Sequence, residues 1–266
     1  MAETKAERYR APKGSEININ LPGGSVAGFR ALHHSGSGPG ILLLTDEEGL
    51  NAGMKSRAGL FGEEGYSVLA LAGDLSVSDI AAAAEILDGF PETEGGIAAV
   101  GHGAGGVLAC RAAEPAGFQA VIVFDALELA ADPAILDAVP CPFVAQFGTK
   151  GAADAQAAVE ALQNSLTRKD GSRVFGWEEG GPGFSIPGRD GFHKRADSLA
   201  HTRTLELIRR VLGPYYDYEA LFAEHTYHEF TTRDVDATMA TMIEEPYVNH
   251  TPTLTGGVGH DMLKRF

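Results

Sequence analysis

The hydrophobic pattern of the first 213 residues alternates between short apolar runs and longer stretches rich in alanine and leucine. The continuous apolar runs lie at 40–44, 66–71, 96–100, 120–124 and 142–147. Runs of this kind are typical of strands buried on both faces. The stretches between them predict helices at 51–64, 76–87, 104–113 and 154–167. This alternation predicts an α/β fold with a mostly parallel sheet and helices on both faces.

Two further groups of residues complete this predicted domain. Ile17 to Leu21 and Ser25 to Leu32 are expected to form an antiparallel hairpin at the sheet edge, turning at Gly23-Gly24. A last strand is predicted at 173–178 and a last helix at 197–212. Because Gly213-Pro214 breaks that helix, the first domain is predicted to span residues 1–213.

The remaining segment, 214–266, has a different pattern and holds four of the nine histidines. Helices are predicted at 218–231 and 234–243, a strand at 247–254, a loop at 255–259 and the start of a helix at 260–266. So short a segment buries little core by itself. It is therefore expected to be a mainly helical appendage or the beginning of a second domain.

Composition and charge narrow the possible functions. The 266 residues are 44% hydrophobic and 21% charged, as in ordinary globular proteins. A formal charge of -15 argues against nucleic-acid and anionic-membrane partners, and no apolar run reaches the ~18 residues of a membrane helix. The start of the chain, 1–15, lacks the apolar core of a signal peptide, and Cys110 and Cys141 cannot make a disulfide framework. A cytoplasmic location is predicted.

No cofactor or metal site is predicted from the sequence. The cysteines and histidines lack zinc-ligand spacing, and no glycine-rich loop ends in the Lys-Ser/Thr of a phosphate-binding loop. The expected ligand is therefore a small molecule rather than a metal ion or nucleotide.

One glycine-rich turn has the spacing of a catalytic motif. Gly101-His102-Gly103-Ala104-Gly105 follows the third apolar run and opens a predicted helix, as the nucleophile elbow G-x-S-x-G does. Glycines on either side permit the tight turn, and the helix N-terminus offers backbone N–H groups to an oxyanion. A closely packed strand–helix turn also explains the glycines, but the position after a buried strand favours the elbow.

Several motifs, in the right order, resemble the dienelactone hydrolase family. They are Gly38 to Leu44, Gly49 to Asn51, Gly65 to Ala70, Val100 to Gly106, Gln146 to Gly148, Glu178 to Phe184 and Thr202 to Leu205. The resemblance extends from about 17 to 212. It implies an α/β-hydrolase fold and the hydrolysis of small esters or lactones by a nucleophile, an acid and a histidine.

The resemblance also implies where those three residues would lie, and here the sequence departs from the family. The nucleophile position falls on Gly103, the acid on Gly151 and the histidine on Pro182. A shifted alignment would return Asp154 as the acid, but it supplies no serine or cysteine beside Gly103. Losing the whole triad removes covalent catalysis, about a factor of 10⁶ in kcat in subtilisin. We therefore predict a non-hydrolytic binding or scaffold module.

Polar residues near the predicted carboxyl ends of the strands form the candidate pocket, because ligands of open α/β sheets bind there. They are Asp46, Glu47, His102, Gly103, Ala104 and Asp125. At Asp46 the family places a carboxylate that regulates the nucleophile. The segment Gly73-Asp74-Leu75 replaces a longer covering segment of the family, so a more open site is expected.

Two interpretations of His102 and Asp125 are open. They could form an acid–base pair for a hydrolase or lyase reaction on a small ester, lactone or enol without a covalent intermediate. Alternatively, His102 is buried with a backbone partner and the acids belong to a solvated loop. The second interpretation is favoured because pocket acids without a recognisable partner are rarely catalytic.

The C-terminal segment resembles the start of a SnoaL-like polyketide cyclase domain. The similar stretches are 233–239, 247–252 and 256–259, which cover the opening helices and the first strand. The resemblance implies a pocket that could include His228 and His250. The alternative is a helical appendage that packs on the first domain or joins copies into a homo-oligomer.

Overall fold

The computed structural model describes residues 14–32, 37–165, 171–215, 217–243 and 246–265. The chain divides into two units, Met1–Pro214 and Tyr215–Phe266. Three predictions fall partly outside the described residues: the absence of a signal peptide at 1–15, the end of the helix at 154–167 and the last residue of the helix start at 260–266. No helix in the described ranges is long and apolar enough to cross a membrane.

The first unit is built on an eight-stranded sheet. Its strands are β1 (Ser15–Leu21), β2 (Gly24–Ala31), β3 (Gly38–Leu44), β4 (Ser67–Leu71), β5 (Thr93–His102), β6 (Ala120–Phe124), β7 (Phe143–Gly148) and β8 (Arg173–Trp177). Their order in the sheet is β1-β2-β4-β3-β5-β6-β7-β8. The strand β2 pairs antiparallel with both β1 and β4, and all other neighbours are parallel. This confirms the predicted fold class.

Seven helices belong to the first unit within the described residues: six lie between strands, and the last follows β8. They are α1 (Ala52–Glu63), α2 (Val77–Asp88), α3 (Ala104–Ala112), α4 (Glu128–Ala131), α5 (Ala134–Asp137), α6 (Ala153–Ser165) and α7 (Lys194–Leu212). The start of α1 is fixed by Asn51, whose side chain accepts a hydrogen bond from the Met54 N–H. At α2, Ser76 and Asp79 form a reciprocal capping box.

The core lies on both faces of the sheet. Successive residues of β3 serve opposite faces: Leu42 and Leu44 belong to one buried cluster, and Ile41 and Leu43 to the other. A strand covered on both sides needs apolar residues at every position. This is why the strands appear in the sequence as continuous apolar runs.

Two details of the sheet differ from the sequence prediction. The hairpin turns at Pro22-Gly23, because Gly24 already pairs with Leu21 as the first residue of β2. The strand predicted at 96–100 extends over Thr93–His102. His102 is therefore a strand residue whose neighbour on β6 is Phe124, and the turn begins one residue later.

The second unit contains three α-helices, a π-helical segment and two strands within the described residues. They are α8 (Tyr218–Thr226), the π-helical segment Tyr227–Thr232, α9 (Val235–Ala240), β9 (Tyr247–His250), β10 (Thr255–Val258) and α10 (His260–Leu263). The resemblance to a SnoaL-like domain and the homo-oligomer both remain predictions.

The prediction of a loop at 255–259 is wrong. Residues Thr255 to Val258 form β10, which pairs antiparallel with β9, and the strand predicted at 247–254 ends at His250. A Cβ on Gly256 would overlap the carbonyl oxygen of Val248 on the partner strand. The glycine that suggested a loop is needed because the two strands approach closely.

Candidate active site

The turn between β5 and α3 has an unusual backbone at its apex. Gly103 has φ 51° and ψ -124°, a combination that L side chains rarely adopt. The flanking Gly101 cannot be replaced by a larger residue, because a Cβ there would lie 2.5 Å from the Gly105 carbonyl oxygen. The sharp strand–helix turn expected of a nucleophile elbow is thus present, but its apex carries no side chain.

Asp46, which forms an ion pair, lies beside this apex. A Cβ on Gly103 would lie 3.0 Å from the Cβ of Asp46. The Asp46 carboxylate accepts two hydrogen bonds from Arg189, at 2.6 Å from Nη1 and 2.7 Å from Nη2. Glu48 lies 3.2 Å from Nε of the same guanidinium. Two parallel hydrogen bonds of this kind fix both position and orientation, so the pair forms an ordered cover next to Gly103.

Both members of the pair are stabilised in their charged forms. Burial raises the pKa of Asp46, but the hydrogen bonds and charge of Arg189 outweigh it and leave that pKa below the ordinary value. The hydrogen bond to Asp46 raises the pKa of Arg189, although burial opposes the shift. At neutral pH the site therefore contains a fixed carboxylate and a fixed guanidinium.

Asp125 connects three loops at the carboxyl end of the sheet. It follows β6 with a positive φ of 53°, and its carboxylate accepts hydrogen bonds from Gly148 N and Gly183 N, each at 2.8 Å. Burial raises the pKa of Asp125 to about 6, even though the two backbone N–H groups act to lower it. This side chain can therefore gain or lose a proton near neutral pH.

His102 has a different environment. It is 2% exposed, and its ring stacks on Phe124 with centroids 4.7 Å apart and planes at 6°. Burial, with a contribution from the positive charge of Arg57, lowers its pKa to about 3. Among the described residues its Nε2 has no hydrogen-bond partner, and no hydrogen bond joins it to Asp125. The histidine is therefore buried, as the favoured interpretation expects, and its ring packs on Phe124.

Gly103 and Pro182, two of the three positions that the resemblance implies for the triad, line one cavity of about 500 Å³ at the carboxyl end of the sheet. Its lining includes Asp46, Glu47, Gly103, Asp125, Pro182 and Arg189. Gly151 lies on the adjacent loop after β7, with φ 71° and open space where a Cβ would be. That loop contacts the Pro182 loop through a 3.0 Å hydrogen bond from Lys150 N to the Gly180 carbonyl oxygen. Asp154, the alternative acid, lies in the first turn of α6.

The arrangement of strands and turn agrees with the comparison to known families. The model of the dienelactone hydrolase family matches residues 71–212, more than half of the chain. The chain belongs to the dienelactone hydrolase family. No curated protein matches its sequence.

Solved structures show the same fold at low sequence identity. A dienelactone hydrolase-like promiscuous phosphotriesterase from metagenomic libraries is 18% identical with a TM-score of 0.61, covering 76% of this chain and 100% of its own. A candidate dienelactone hydrolase from Klebsiella pneumoniae is 15% identical with a TM-score of 0.60, covering 73% and 96%. A lidless α/β serine hydrolase from Xanthomonas campestris is 17% identical with a TM-score of 0.57, covering 77% and 97%.

A second cavity of about 500 Å³ in this family member lies at the ends of β3 and β4. It is lined by Gly73, Asp74 and Leu75, the short segment singled out in the sequence, and by Ala104 on the first turn of α3. Asp46 and Glu47 line both cavities. The short connection thus leaves a recess beside the elbow.

Arg189 is the site residue that the sequence analysis missed. It belongs to the loop Gly188-Arg189-Asp190-Gly191, and its partner Asp46 is 143 residues away. No local pattern predicts such a pair. The available signal was a lone cation directly after the family's histidine motif, in a chain that is otherwise strongly acidic.

A buried ion pair holds the loop that carries Pro182 and Arg189. Arg57 on α1 is 2% exposed and donates hydrogen bonds to the Asp197 carboxylate on α7 and to the Ser185 carbonyl oxygen in the loop. The loop is therefore attached to two helices as well as to Asp125. No group of three or more potential metal ligands occurs in the part of the chain that the structure describes.

Proposed function

We propose that this member of the dienelactone hydrolase family binds a small polar molecule in the cavity above its elbow and does not hydrolyse it. One observation carries the proposal. The backbone of Gly103 has the elbow conformation, but its apex carries no side chain that could act as a nucleophile.

The chemistry of the lining supports the same conclusion. Covalent hydrolysis needs a side-chain nucleophile and a base that accepts its proton. Gly103 has no side chain, Pro182 has no proton acceptor, and His102 is neutral, buried and stacked on Phe124. Among the described residues that line this cavity, the groups that could act as a base on a bound ester are therefore carboxylates.

The charges of the cavity indicate which ligand it would accept. Arg189 is neutralised by Asp46 and Glu48, while Glu47 and Asp190 add further carboxylates to the lining. A carboxylate ligand would be repelled by this set of charges. A neutral molecule with several hydroxyl or carbonyl groups fits best, because it can use the remaining acceptor sites and the backbone N–H groups at the start of α3.

Asp125 supports a second candidate function, general-base catalysis without a covalent intermediate. A carboxyl group with a pKa of about 6 that lines a cavity is suited to moving a proton at neutral pH. The substrate would be a small ester, lactone or enol, and the reaction a hydrolysis or an elimination. In this case His102 is not the partner of Asp125.

Turnover and binding measurements together separate the two functions. The purified protein and Asp125→Asn would be assayed with p-nitrophenyl acetate, dihydrocoumarin and an enol lactone. The binding function predicts no turnover above buffer for either protein. Turnover that purification retains and Asp125→Asn abolishes would favour the second function and end the first.

Binding would be followed by a thermal-shift screen with neutral polyols and lactones. A ligand of the cavity should lose its effect on the melting temperature in Pro182→Phe, which fills the space. It should keep its effect in Leu199→Phe, a matched change at an exposed position on α7. Equal loss in both variants, or no stabilising ligand in a broad screen, would contradict the proposal.

A further inference from the structure

The second unit contains a cavity that the family relationship does not explain, since the family model ends at residue 212. The cavity has a volume of about 430 Å³. Its apolar wall includes Met239, Val248 and Leu263, and its polar wall includes His225, His228 and Arg233. A mostly apolar recess with a few convergent polar groups is the usual form of a small-molecule site.

The polar wall is built by an irregular helix. The π-helical segment Tyr227–Thr232 follows α8 directly, and three of its consecutive residues, His228, Glu229 and Phe230, line the cavity. A regular α-helix turns consecutive side chains away from one another by about 100°, so the wider π turn brings more of them to one side. Such segments are frequent at functional sites.

His225 is held in one orientation by two neighbours. Thr241 Oγ1 donates its single hydrogen to the Thr238 carbonyl oxygen at 2.6 Å, so it must accept from Nδ1 of His225, which is also 2.6 Å away. The other ring nitrogen, Nε2, lies 3.6 Å from the Glu229 carboxylate. These contacts hold the ring at the cavity wall.

Arg233 provides the positive charge of this cavity. It has a left-handed backbone at the end of the π-helical segment, with φ 54°, and it forms no ion pair with any described residue. By contrast, Lys264 of the same unit pairs with Asp236 at 2.7 Å. In a chain of formal charge -15, an unpaired guanidinium beside an apolar recess is suited to an anionic ligand.

We propose that this cavity binds a small amphipathic anion. The apolar body of the ligand packs against Met239, Val248 and Leu263, and its acidic group, a carboxylate or a sulfonate, pairs with Arg233. The site is independent of the cavity above the elbow, and the proposal holds whether or not the first unit has a ligand.

Two fluorescent probes with the same rings test the proposal on the full chain. 8-Anilinonaphthalene-1-sulfonate carries one anionic group, and N-phenyl-1-naphthylamine carries none. We expect Arg233→Gln to weaken binding of the sulfonate about tenfold, the usual effect of losing a charge-assisted hydrogen bond, and to change binding of the neutral probe less than about twofold.

Two further variants keep the test decisive. Arg265→Gln removes the same charge at another exposed position of this unit and should leave both affinities unchanged. Val248→Trp fills the recess and should weaken both probes, with circular dichroism used to confirm folding. Decanoate should displace the neutral probe at least tenfold better than decanol does. Equal effects of Arg233→Gln and Arg265→Gln on the sulfonate, or equal displacement by decanoate and decanol, would overturn the proposal.

Discussion

The two units of this chain handle apolar side chains in opposite ways. In the first unit, the residues of β3, β4, β6 and β7 are all buried. Among the described residues of the second unit, the buried large apolar side chains are Met239 and Leu263. Thirteen large apolar side chains are exposed in the described part of the chain, and eleven of them belong to the second unit. A sheet covered on both faces can bury every strand position, whereas about 50 residues cannot enclose a comparable core.

The contrast extends to the chemistry of the two cavities. Above the elbow, the charges of Asp46 and Arg189 neutralise each other, and the loop around them is attached by Asp125 and Arg57. In the second unit, Arg233 forms no ion pair with a residue that the structure describes, and it lines a cavity with Met239 and Val248. Paired charges thus fix the structure around the first cavity, whereas Arg233 is the proposed partner of a ligand in the second.

The largest difference between the two units is expected in the unfolding free energy that is lost when an ion pair is broken. Arg57→Met leaves Asp197 buried without a partner, which typically costs about 3–5 kcal/mol of unfolding free energy. The double variant Arg57→Met/Asp197→Leu should recover most of that loss. Lys264→Met breaks an exposed pair in the second unit and should hardly change the urea midpoint. Similar losses for Arg57→Met and Lys264→Met in urea unfolding would remove this part of the contrast.

A second test of the contrast makes the same leucine-to-alanine change once in each unit. Leu42→Ala in β3 opens a cavity in the core and should cost about 3 kcal/mol. Leu221→Ala on α8, which is 42% exposed, should cost less than about 0.5 kcal/mol. Both values come from urea unfolding. A large loss at Leu221 would mean that the second unit is covered in solution, as the predicted homo-oligomer requires.

A smaller effect is expected in the pH dependence of the stability of the first unit. The folded-state pKa of Asp125, about 6, lies above its unfolded value near 3.9. The folded protein therefore holds the proton longer, and stability falls as pH rises from about 4 to about 6, by about 1–3 kcal/mol. Asp125→Asn should flatten this part of the stability profile relative to the unchanged protein. Asp236→Asn, at an exposed site, should leave the fall in place. If the fall persists in Asp125→Asn, another group causes it.

The sequence alone predicted those features that depend on neighbouring residues. Apolar runs predicted the strands, and the glycines around Gly103 indicated the sharp turn. Features that depend on distant residues were missed or misinterpreted. Arg189 meets Asp46 across 143 residues, and Gly256 is required by the approach of Val248 on a strand that pairs with it.

His102 illustrates the same limit within the site. Its place beside the elbow made it a possible base, because a histidine in a sequence does not reveal its surroundings. Burial, with a contribution from the positive charge of Arg57, lowers its pKa to about 3, and its ring stacks on Phe124. Phe124 belongs to β6, whose position relative to β5 depends on the whole sheet.

The most direct test of the central claim is an intact-mass measurement after incubation with a fluorophosphonate, which forms a stable adduct with an activated hydrolase nucleophile. The account predicts an unchanged mass for the native protein, because Gly103 offers no nucleophile and the Asp46–Arg189 pair lies beside the elbow. A stoichiometric phosphonyl adduct on a residue lining the cavity above the elbow would contradict it.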